Sequence, residues 1–199
     1  MKRLLLIALA VLFALSLTLS SPAEDGGEAE TIVTIVRTPP QDHAERPPCF
    51  PDPADQYVPL PETENLALNK PVSADNHADV YVIRNVNDGK TDTYWESRGW
   101  PAEVVIDLQA VCRVSTVAVC LNPSSIWEPR IQEIAVQISV DGETYTEAAA
   151  AADYPFSADT GNRVRVDFEP ADAAYVKVIF LKNSASRTQG AQAAEICVY

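Results

Sequence analysis

A short turn around Asp88 has the residue types and spacing of a cation site. The sequence Asn87-Asp88-Gly89 is a turn signature, because glycine permits the positive φ that tight turns require. Thr93 follows five residues after Asp88, so one loop could direct several oxygen atoms at one point. Calcium takes six to eight oxygen ligands, many of them backbone carbonyls. The turn is therefore a candidate calcium site, and the alternative is that Asp88 only caps the turn.

A second set of residues could bind a sugar. Such a site needs an aromatic face for the apolar side of the ring, with planar or charged groups for the hydroxyls. The candidates are Trp127 and Arg130 in one segment, Glu96 and Trp100 in another, and Tyr81 and His77 in the loop before it. Trp127 is the strongest of them, because the prolines and serines around it predict a loop and hence an exposed indole.

Each of these candidates has a structural alternative. Trp95 is expected to lie in the core, and Trp100 could pack beneath the strand that follows it. Arg130 and Glu96 could form a purely structural ion pair, and His77 could be an incidental loop residue. These alternatives are open at the level of sequence.

Catalytic motifs are missing from the sequence. It holds no Gly-x-Ser-x-Gly nucleophile motif and only two histidines, His43 and His77. A glycosidase needs two carboxylates across a deep cleft, which one small β-domain rarely supplies. The sequence therefore predicts a protein that is not an enzyme.

The charge of the chain limits its partners. The 199 residues include 28 Asp and Glu against 15 Lys and Arg, for a net charge of −13. Nucleic acids and anionic membranes attract clustered Lys and Arg, so we expect neither as a partner. The apolar content of 47% is enough for a packed core.

The first 64 residues predict an exported protein with a spacer. Lys2 and Arg3 precede an uncharged apolar run over 4–19, and small residues follow, so residues 1–23 are interpreted as a signal peptide. The alternative is an uncleaved membrane anchor. Cleavage would remove two basic residues and no acid, which changes the net charge from −13 to −15. Residues 24–64 contain eight prolines between Pro39 and Pro61 and predict an extended acidic spacer.

Four cysteines remain after cleavage: Cys49, Cys112, Cys120 and Cys197. An even number in an exported chain fits two disulfides, for which three pairings are possible. Cys112–Cys120 is disfavoured, because both residues are expected on one extended segment. Eight strand steps span roughly 26 Å, whereas a disulfide needs Cα atoms within about 7 Å. The other two pairings, and free buried thiols, remain open.

From Asn65 onward the sequence predicts an all-β domain. Short segments rich in β-branched residues or alternating in hydropathy are separated by turn residues, over 104–108, 114–121, 134–140, 144–146, 163–168, 175–180 and 196–199. No amphipathic helix is visible, so we expect seven or eight strands in an antiparallel β-sandwich. The alanine run over 148–152 is interpreted as one helical turn or a loop.

Six segments in order resemble the discoidin domain, also called the coagulation-factor C-type domain. They are "NLALNKPVSA" (65–74), "NVNDGKTDTYWES" (85–97), "VVIDLQAVCRVSTVAV" (104–119), "RIQEIAVQISVDGETY" (130–145), "AYVKVIF" (174–180) and "AAEICVY" (193–199). The details "YWES", "WEPRIQ" and "YPFSADTGNRVRVDF" are similar to modules of bacterial polysaccharide-degrading enzymes. Those modules include carbohydrate-binding module family 32 and the discoidin modules of α-1,3-glucanases.

The resemblance implies a galactose-binding-like β-jelly roll over 65–199 that binds sugar through loops at one end and has no catalytic activity. It implies a structural calcium ion held by the carbonyls of Asn85, Lys90 and Ala194, the carboxylates of Asp88 and Glu195, and Thr93. It also implies that Glu96 and Arg130 contact the ligand.

The sequence departs from this family at two places. Galactose-binding members commonly carry His where this chain has Glu96, and glucanase-type modules often carry a Trp in the last long loop, which has no aromatic residue here. The expected function is therefore a secreted, monomeric protein that binds a polysaccharide or glycan of unspecified type. The alternatives are an adhesion module that binds protein and, less favoured, a glycan-acting enzyme.

Overall fold

The computed structural model describes residues 56–199. The predicted signal peptide and the part of the predicted spacer over 24–55 lie outside the described residues, as does Cys49. No helix within 56–199 is long and apolar enough to cross a membrane.

Residues 56–199 form eight β-strands and two short 3-10 helices, with no α-helix among them. The strands are β1 Val72–Ala74, β2 Trp95–Glu96, β3 Ala102–Cys120, β4 Arg130–Ser139, β5 Thr146–Phe156, β6 Arg163–Asn183, β7 Gln192–Ala193 and β8 Glu195–Val198. The 3-10 helices span Ile83–Val86 and Ala158–Thr160. Every strand pair is antiparallel, which confirms the all-β antiparallel prediction.

Two long strands dominate the larger sheet. Its order is β1-β3-β6-β4-β5, and β8 pairs with β3 in addition; β2 and β7 form a separate two-stranded sheet. Strand β3 joins the two strands expected over 104–108 and 114–121, and β6 joins those expected over 163–168 and 175–180. Register shifts between Asp107 and Cys112 and between Val114 and Thr116 interrupt the β3–β6 pairing. Such irregularities bend a strand without ending it.

The prediction of a helical turn or loop over 148–152 was wrong. These alanines lie in strand β5, where Ala149 pairs with Val136 and Ala152 pairs with Ile134 of β4. Alanine has a high intrinsic helix propensity, but a segment of five residues cannot form a stable helix alone. The hydrogen bonds offered by β4 therefore determine the outcome, and β5 becomes the edge of the sheet.

Alternating side chains build the core beneath the site. Along β3, Ala102, Val104 and Ile106 point inward, whereas the residues between them are partly exposed. Trp95 has no exposed surface, and its ring lies 5.7 Å from that of Phe180. The prediction that Trp95 belongs to the core is confirmed.

Three cysteines are free thiols within the described residues: Cys112, Cys120 and Cys197. Cys112 and Cys120 lie on the single strand β3, as expected from the sequence.

The end of the predicted spacer lies against the domain. The backbone N–H of Val58 donates to the carbonyl of Thr160 at 3.2 Å, and Arg165 Nη1 donates to the carbonyl of Pro59 at 3.2 Å. The guanidinium of Arg163 lies 5.2 Å from the centre of the Tyr57 ring. Ordered chain therefore extends at least eight residues upstream of Asn65.

Candidate functional site

A cavity of about 440 Å³ lies where strands β2, β4, β6 and β7 meet their connecting loops. Because β4 and β6 are antiparallel, the start of β4 and the loop after β6 lie at the same end of the sheet. The lining residues are Tyr81, Tyr94, Glu96, Ile126, Trp127, Glu128, Arg130, Ala185, Arg187, Thr188 and Gln192. Its size is within the range typical of small-molecule sites.

An aromatic group forms one wall of this cavity. The rings of Tyr81 and Tyr94 stack with centroids 4.3 Å apart, and those of Tyr94 and Trp127 form a T-shaped pair with centroids 4.8 Å apart. Trp127 is half-buried, so part of its indole stays open to a ligand. The Arg130 guanidinium lies 5.1 Å from the Trp127 ring centre, within the range of a cation–π contact.

A buried glutamine joins the two charged candidates. Arg130 Nη1 donates to Gln192 Oε1, and Gln192 Nε2 donates to Glu96 Oε2 at 2.7 Å. Thr188 Oγ1 donates to the other Glu96 oxygen at 2.6 Å. Arg130 and Glu96 are therefore bridged through Gln192, and they do not form the direct ion pair considered as an alternative above.

The orientation of Gln192 is set by a second buried glutamine. The backbone N–H of Gln192 donates to Gln132 Oε1, and Gln132 Nε2 donates to the backbone carbonyl of Gln192, both at 2.9 Å. Gln132 is fully buried, so these bonds do not compete with water. The amide of Gln192 thus presents its oxygen to Arg130 and its nitrogen to Glu96 in one fixed arrangement.

Burial changes the chemistry of Arg130 and Tyr94. Arg130 is 7% exposed, and this burial lowers its pKa, while Glu128 and Glu96 oppose the shift. The guanidinium still carries its charge at neutral pH. Burial, followed by the hydrogen bond with Tyr81, raises the pKa of Tyr94, so this residue presents a neutral hydroxyl. Hydrogen bonds from a poorly hydrated guanidinium to a ligand are strengthened by the low local dielectric.

The loop between β6 and β7 closes the cavity. Glu128 accepts hydrogen bonds from Ser186 N at 2.6 Å and Ser186 Oγ at 2.8 Å, and these bonds lower the pKa of its carboxyl. Asn183 Nδ2 donates to the carbonyl of Gly190 at 2.9 Å at the far end of the loop. The loop lacks an aromatic residue, but it brings Arg187 and Thr188 to the site.

Gly190 allows the close approach of this loop to Ser97. A Cβ atom at Gly190 would overlap the Ser97 carbonyl, whereas one at Gly99 would lie 4.0 Å from its nearest neighbour. Gly190→Ala is therefore expected to destabilise the fold by about 2 kcal/mol, roughly 4–8 °C in Tm, and to weaken ligand binding. The matched Gly99→Ala variant should leave Tm within about 2 °C of the wild type. Thermal melts of both variants test this, and equal Tm values would contradict the packing described here.

Four of the six predicted ligand-binding residues lie together in the cavity: Trp127, Arg130, Glu96 and Tyr81. The other two, Trp100 and His77, are not among its lining residues. Trp100 is 40% exposed, and His77 is exposed, with its carbonyl accepting a bond from Arg98 Nε at 3.0 Å.

Sequence reasoning missed several lining residues, including Tyr94, Glu128, Arg187, Thr188 and Gln192. A signal existed for Tyr94, because it directly precedes the buried Trp95 and strand alternation places it on the opposite face. No sequence signal identifies Gln192, which is brought to the site only by the pairing of β2 with β7.

The candidate cation site joins the Asp88 turn to strand β8. Asp88 Oδ1 accepts a hydrogen bond from Lys90 N at 3.0 Å, and Asp88 Oδ2 accepts one from Thr93 Oγ1 at 2.9 Å. The N–H of Gly89, at φ 78°, donates to Glu195 Oε1 and Oε2 at 3.3 and 3.2 Å. The turn and the C-terminal strand therefore meet through the Glu195 carboxylate.

The donors at this site fit a hard cation. Glu195 is 6% exposed, and burial raises the pKa of its carboxyl to about 8, with further contributions from Cys197 and then Asp88. A buried carboxylate beside a second acid is unfavourable unless a positive charge offsets it. Within 56–199 no group of three or more His, Cys, Asp or Glu side chains could hold a metal ion, so the carbonyls of Asn85, Lys90 and Ala194 would have to complete the coordination.

Comparison with known proteins finds one matching family model and several similar solved structures. Residues 85–178 match the family model of an F5/F8 type C domain, described as a NedA-like, galactose-binding domain. The structure is similar to the family 32 module of AlyQ in complex with 4,5-unsaturated mannuronic acid, with 22% identity and a TM-score of 0.55. This match covers 66% of this chain and 96% of that one. No curated protein matches the chain significantly.

Two further modules are similar. One is a family 32 module from Clostridium perfringens in complex with GalNAc-β-1,3-galactose, with 18% identity, a TM-score of 0.57, and coverage of 68% and 99% of the two chains. The other is chitosan-binding module 1 of a chitosanase/glucanase from Paenibacillus sp. IK-5, with 24% identity, a TM-score of 0.54, and coverage of 69% and 99%. These similarities confirm the predicted galactose-binding-like β-sandwich.

Proposed function

We propose, on the premise that this chain carries a galactose-binding-like domain of the F5/F8 type C family, that it is a non-catalytic carbohydrate-binding module. The glycan would occupy the cavity lined by Trp127, Arg130 and Glu96. The observation that carries this proposal is the fixed Arg130–Gln192–Glu96 bridge beside a half-open indole.

Each part of the site matches one feature of a sugar. The apolar face of a pyranose ring would pack on the Trp127 indole, with the edge of the ring toward Tyr81. Arg130 uses Nε for the Glu128 carbonyl and Nη1 for Gln192, which leaves Nη2 to donate to a ligand hydroxyl. Each Glu96 oxygen accepts one protein hydrogen bond and keeps a lone pair for a second hydroxyl. Neighbouring hydroxyls of one ring could therefore bind both groups.

The acids in the cavity do not support catalysis. A glycosidase needs a general acid whose carboxyl pKa is raised, together with a second carboxylate. Hydrogen bonds from Ser186 lower the pKa of Glu128, so it is ionised at neutral pH and its oxygens hold the loop. Both Glu96 oxygens are bound to Thr188 and Gln192. The arrangement suits recognition rather than proton transfer.

A glycan array probed with the purified full chain tests the proposed function. We expect selective binding to one group of glycans, and competition by the free oligosaccharide of that group. Absence of any glycan signal, together with saturable capture of a purified extracellular protein, would contradict the proposal and favour the adhesion alternative.

We also propose a structural calcium ion at the Asp88 turn. When bound, calcium would supply a positive charge that offsets the Asp88 and Glu195 carboxylates. Asp88, Thr93, Glu195 and the carbonyls of Asn85, Lys90 and Ala194 would hold it. The ion would tie the turn to strand β8.

Removal of calcium is expected to lower the Tm. At free calcium near 100 times Kd, binding stabilises the folded state by about 2.7 kcal/mol, roughly 5–10 °C for a chain of this size. Scanning calorimetry with chelator and then with excess calcium measures this shift. Asp88→Asn should lower the Tm and abolish the response, whereas Asp92→Asn, in the same turn and exposed, should keep it. A wild-type melting curve unchanged by chelator would eliminate the site.

We also propose that the protein is exported and that it is a monomer. The apolar segment over 4–19 and the small residues after it support cleavage near residue 23. N-terminal sequencing of the protein from the culture medium checks the cleavage, and light scattering checks the molecular mass.

A further inference from the structure

Two buried thiols lie side by side on neighbouring strands. Cys120 of β3 pairs with Glu195 of β8, and Cys197 of β8 pairs with Ala118 of β3. The two cysteines are thus diagonal neighbours on one face of the sheet. Each residue is 6% exposed.

The face that carries these thiols is enclosed by the chain upstream of the domain. Cys120 and Cys197 line a cavity of about 230 Å³ whose other walls include Tyr57, Leu60 and Arg163. The bond of Val58 to Thr160 of the 3-10 helix and that of Arg165 of β6 to Pro59 hold this cover in place. Both cysteines therefore line one cavity that this upstream chain partly covers.

Cys112 is excluded as a partner of either thiol. It lies eight residues before Cys120 on the same strand, where it pairs with Ala173 of β6. Strand β8 pairs with β3 only over Val117–Cys120, five or more residues beyond Cys112. Neither thiol can reach Cys112 while β3 is intact.

We propose that Cys120 and Cys197 form an intramolecular disulfide in an oxidising environment and so fasten β8 to β3. The oxidant would be a low-molecular-weight disulfide such as oxidised glutathione. One cysteine thiolate attacks it and releases one glutathione thiol, and the second cysteine then displaces the other glutathione. Two protons and two electrons pass from the protein thiols to the oxidant, which leaves as two glutathione thiols.

The strand geometry permits this bond after a small adjustment. Diagonal neighbours on antiparallel strands have Cα atoms about 7–8 Å apart, whereas a disulfide spans about 4.4–6.8 Å. The backbone at Cys120 and Cys197 must therefore shift by roughly 1 Å along the two strands, which brings the diagonal Cα atoms closer without compressing the ladder. β8 pairs with β3 alone among the described strands, and on its outer edge Val198 is bonded to Asn65 and Leu66, so only these two bonds have to adjust with it.

The disulfide would fix in place the segment that contributes residues to both the proposed sugar site and the proposed calcium site. Gln192 lies in β7 and Glu195 in β8, so both precede Cys197 on one short stretch of chain. A covalent link there also restricts the unfolded chain, since it closes a loop from residue 120 to residue 197. Oxidation is therefore expected to raise the Tm by about 5 °C or more.

Peptide mapping of the full chain tests the pairing. Trypsin leaves the four cysteines in four separate peptides, with Cys120 in 114–130 and Cys197 in 188–199. After oxidation with glutathione disulfide and alkylation of free thiols, we expect these two peptides to be linked, and reduction to separate them and lower the Tm. A link from Cys120 or Cys197 to Cys49 or Cys112, or alkylation of both thiols after oxidation, would overturn the proposal.

Matched variants distinguish the effect of the disulfide on Tm from the effect of the substitution itself. Cys112→Ser should retain the linked peptide and the Tm shift on reduction. Cys120→Ala should lose both, while its Tm in reductant should match that of the reduced wild type within about 2 °C. A Cys120→Ala variant whose Tm still falls on reduction would show that another cysteine pair carries the effect, which would also overturn the proposal.

Discussion

Replacement of Trp127 by alanine is expected to lower glycan affinity by at least about 30-fold, the loss typical of a central aromatic contact. The indole supplies the apolar face of the proposed site, forms a T-shaped pair with Tyr94 and lies against the Arg130 guanidinium. Its loss removes the ring-stacking surface and also one neighbour that holds the guanidinium in place. Isothermal titration with the oligosaccharide selected on the array measures the effect.

Trp100→Ala is the matched control for this experiment. Trp100 is 40% exposed but does not line the cavity, so its loss should change affinity by less than about 2-fold. Both variants should keep the calcium-dependent increase in Tm, because neither residue contacts the Asp88 turn. Retained affinity in Trp127→Ala, or lost affinity in Trp100→Ala, would move the binding surface away from the cavity.

Gln192→Glu is expected to lower affinity by about 10-fold or more at pH 8. The new carboxylate can still accept the bond from Arg130, but it replaces the amide nitrogen that donates to Glu96 at 2.7 Å. Two carboxylates this close cannot both ionise without strong repulsion, so the pair holds a shared proton with a raised pKa. Above that pKa both groups are charged and Glu96 is displaced; below it the shared proton restores the contact.

The sign of the pH dependence separates this effect from a simple structural loss. The affinity of Gln192→Glu relative to wild type should therefore rise as pH falls from 8 to 5. Gln189→Glu adds the same charge at an exposed position in the neighbouring loop, and its relative affinity should stay constant with pH. Identical pH profiles for the two variants would contradict the bridging role of Gln192.

The sequence identifies local features of the site and misses those created by long-range pairing. Trp127 is predicted from the prolines and serines around it, because loop composition is a local property. Gln192 reaches Glu96 only because β7 pairs with β2, and the two residues lie 96 positions apart. Conversely, Trp100 is of a residue type that is common in sugar-binding sites, but its position in the fold leaves it outside the cavity.

The same distinction between local preference and long-range pairing explains the errors in the predicted fold. Alternation of apolar residues predicts which residues of β3 and β6 are buried, but it does not show that each strand continues through its register shifts. Ala148–Ala152 has no alternation and favours helix locally, yet the exposed edge of β4 offers hydrogen bonds that only a strand can use. Partner strands therefore determine structure wherever the local preference is weak.

In the proposed complex the sugar lies on Trp127 rather than elsewhere on the domain. The chain has three tryptophans, so its ¹H–¹⁵N spectrum contains three indole signals, which Trp→Phe variants would assign. On titration with the selected oligosaccharide, the Trp127 indole signal should move and saturate with the Kd found by calorimetry, while those of Trp95 and Trp100 stay unchanged. A titration that shifts the Trp100 signal alone, or that saturates without moving Trp127, would contradict the account.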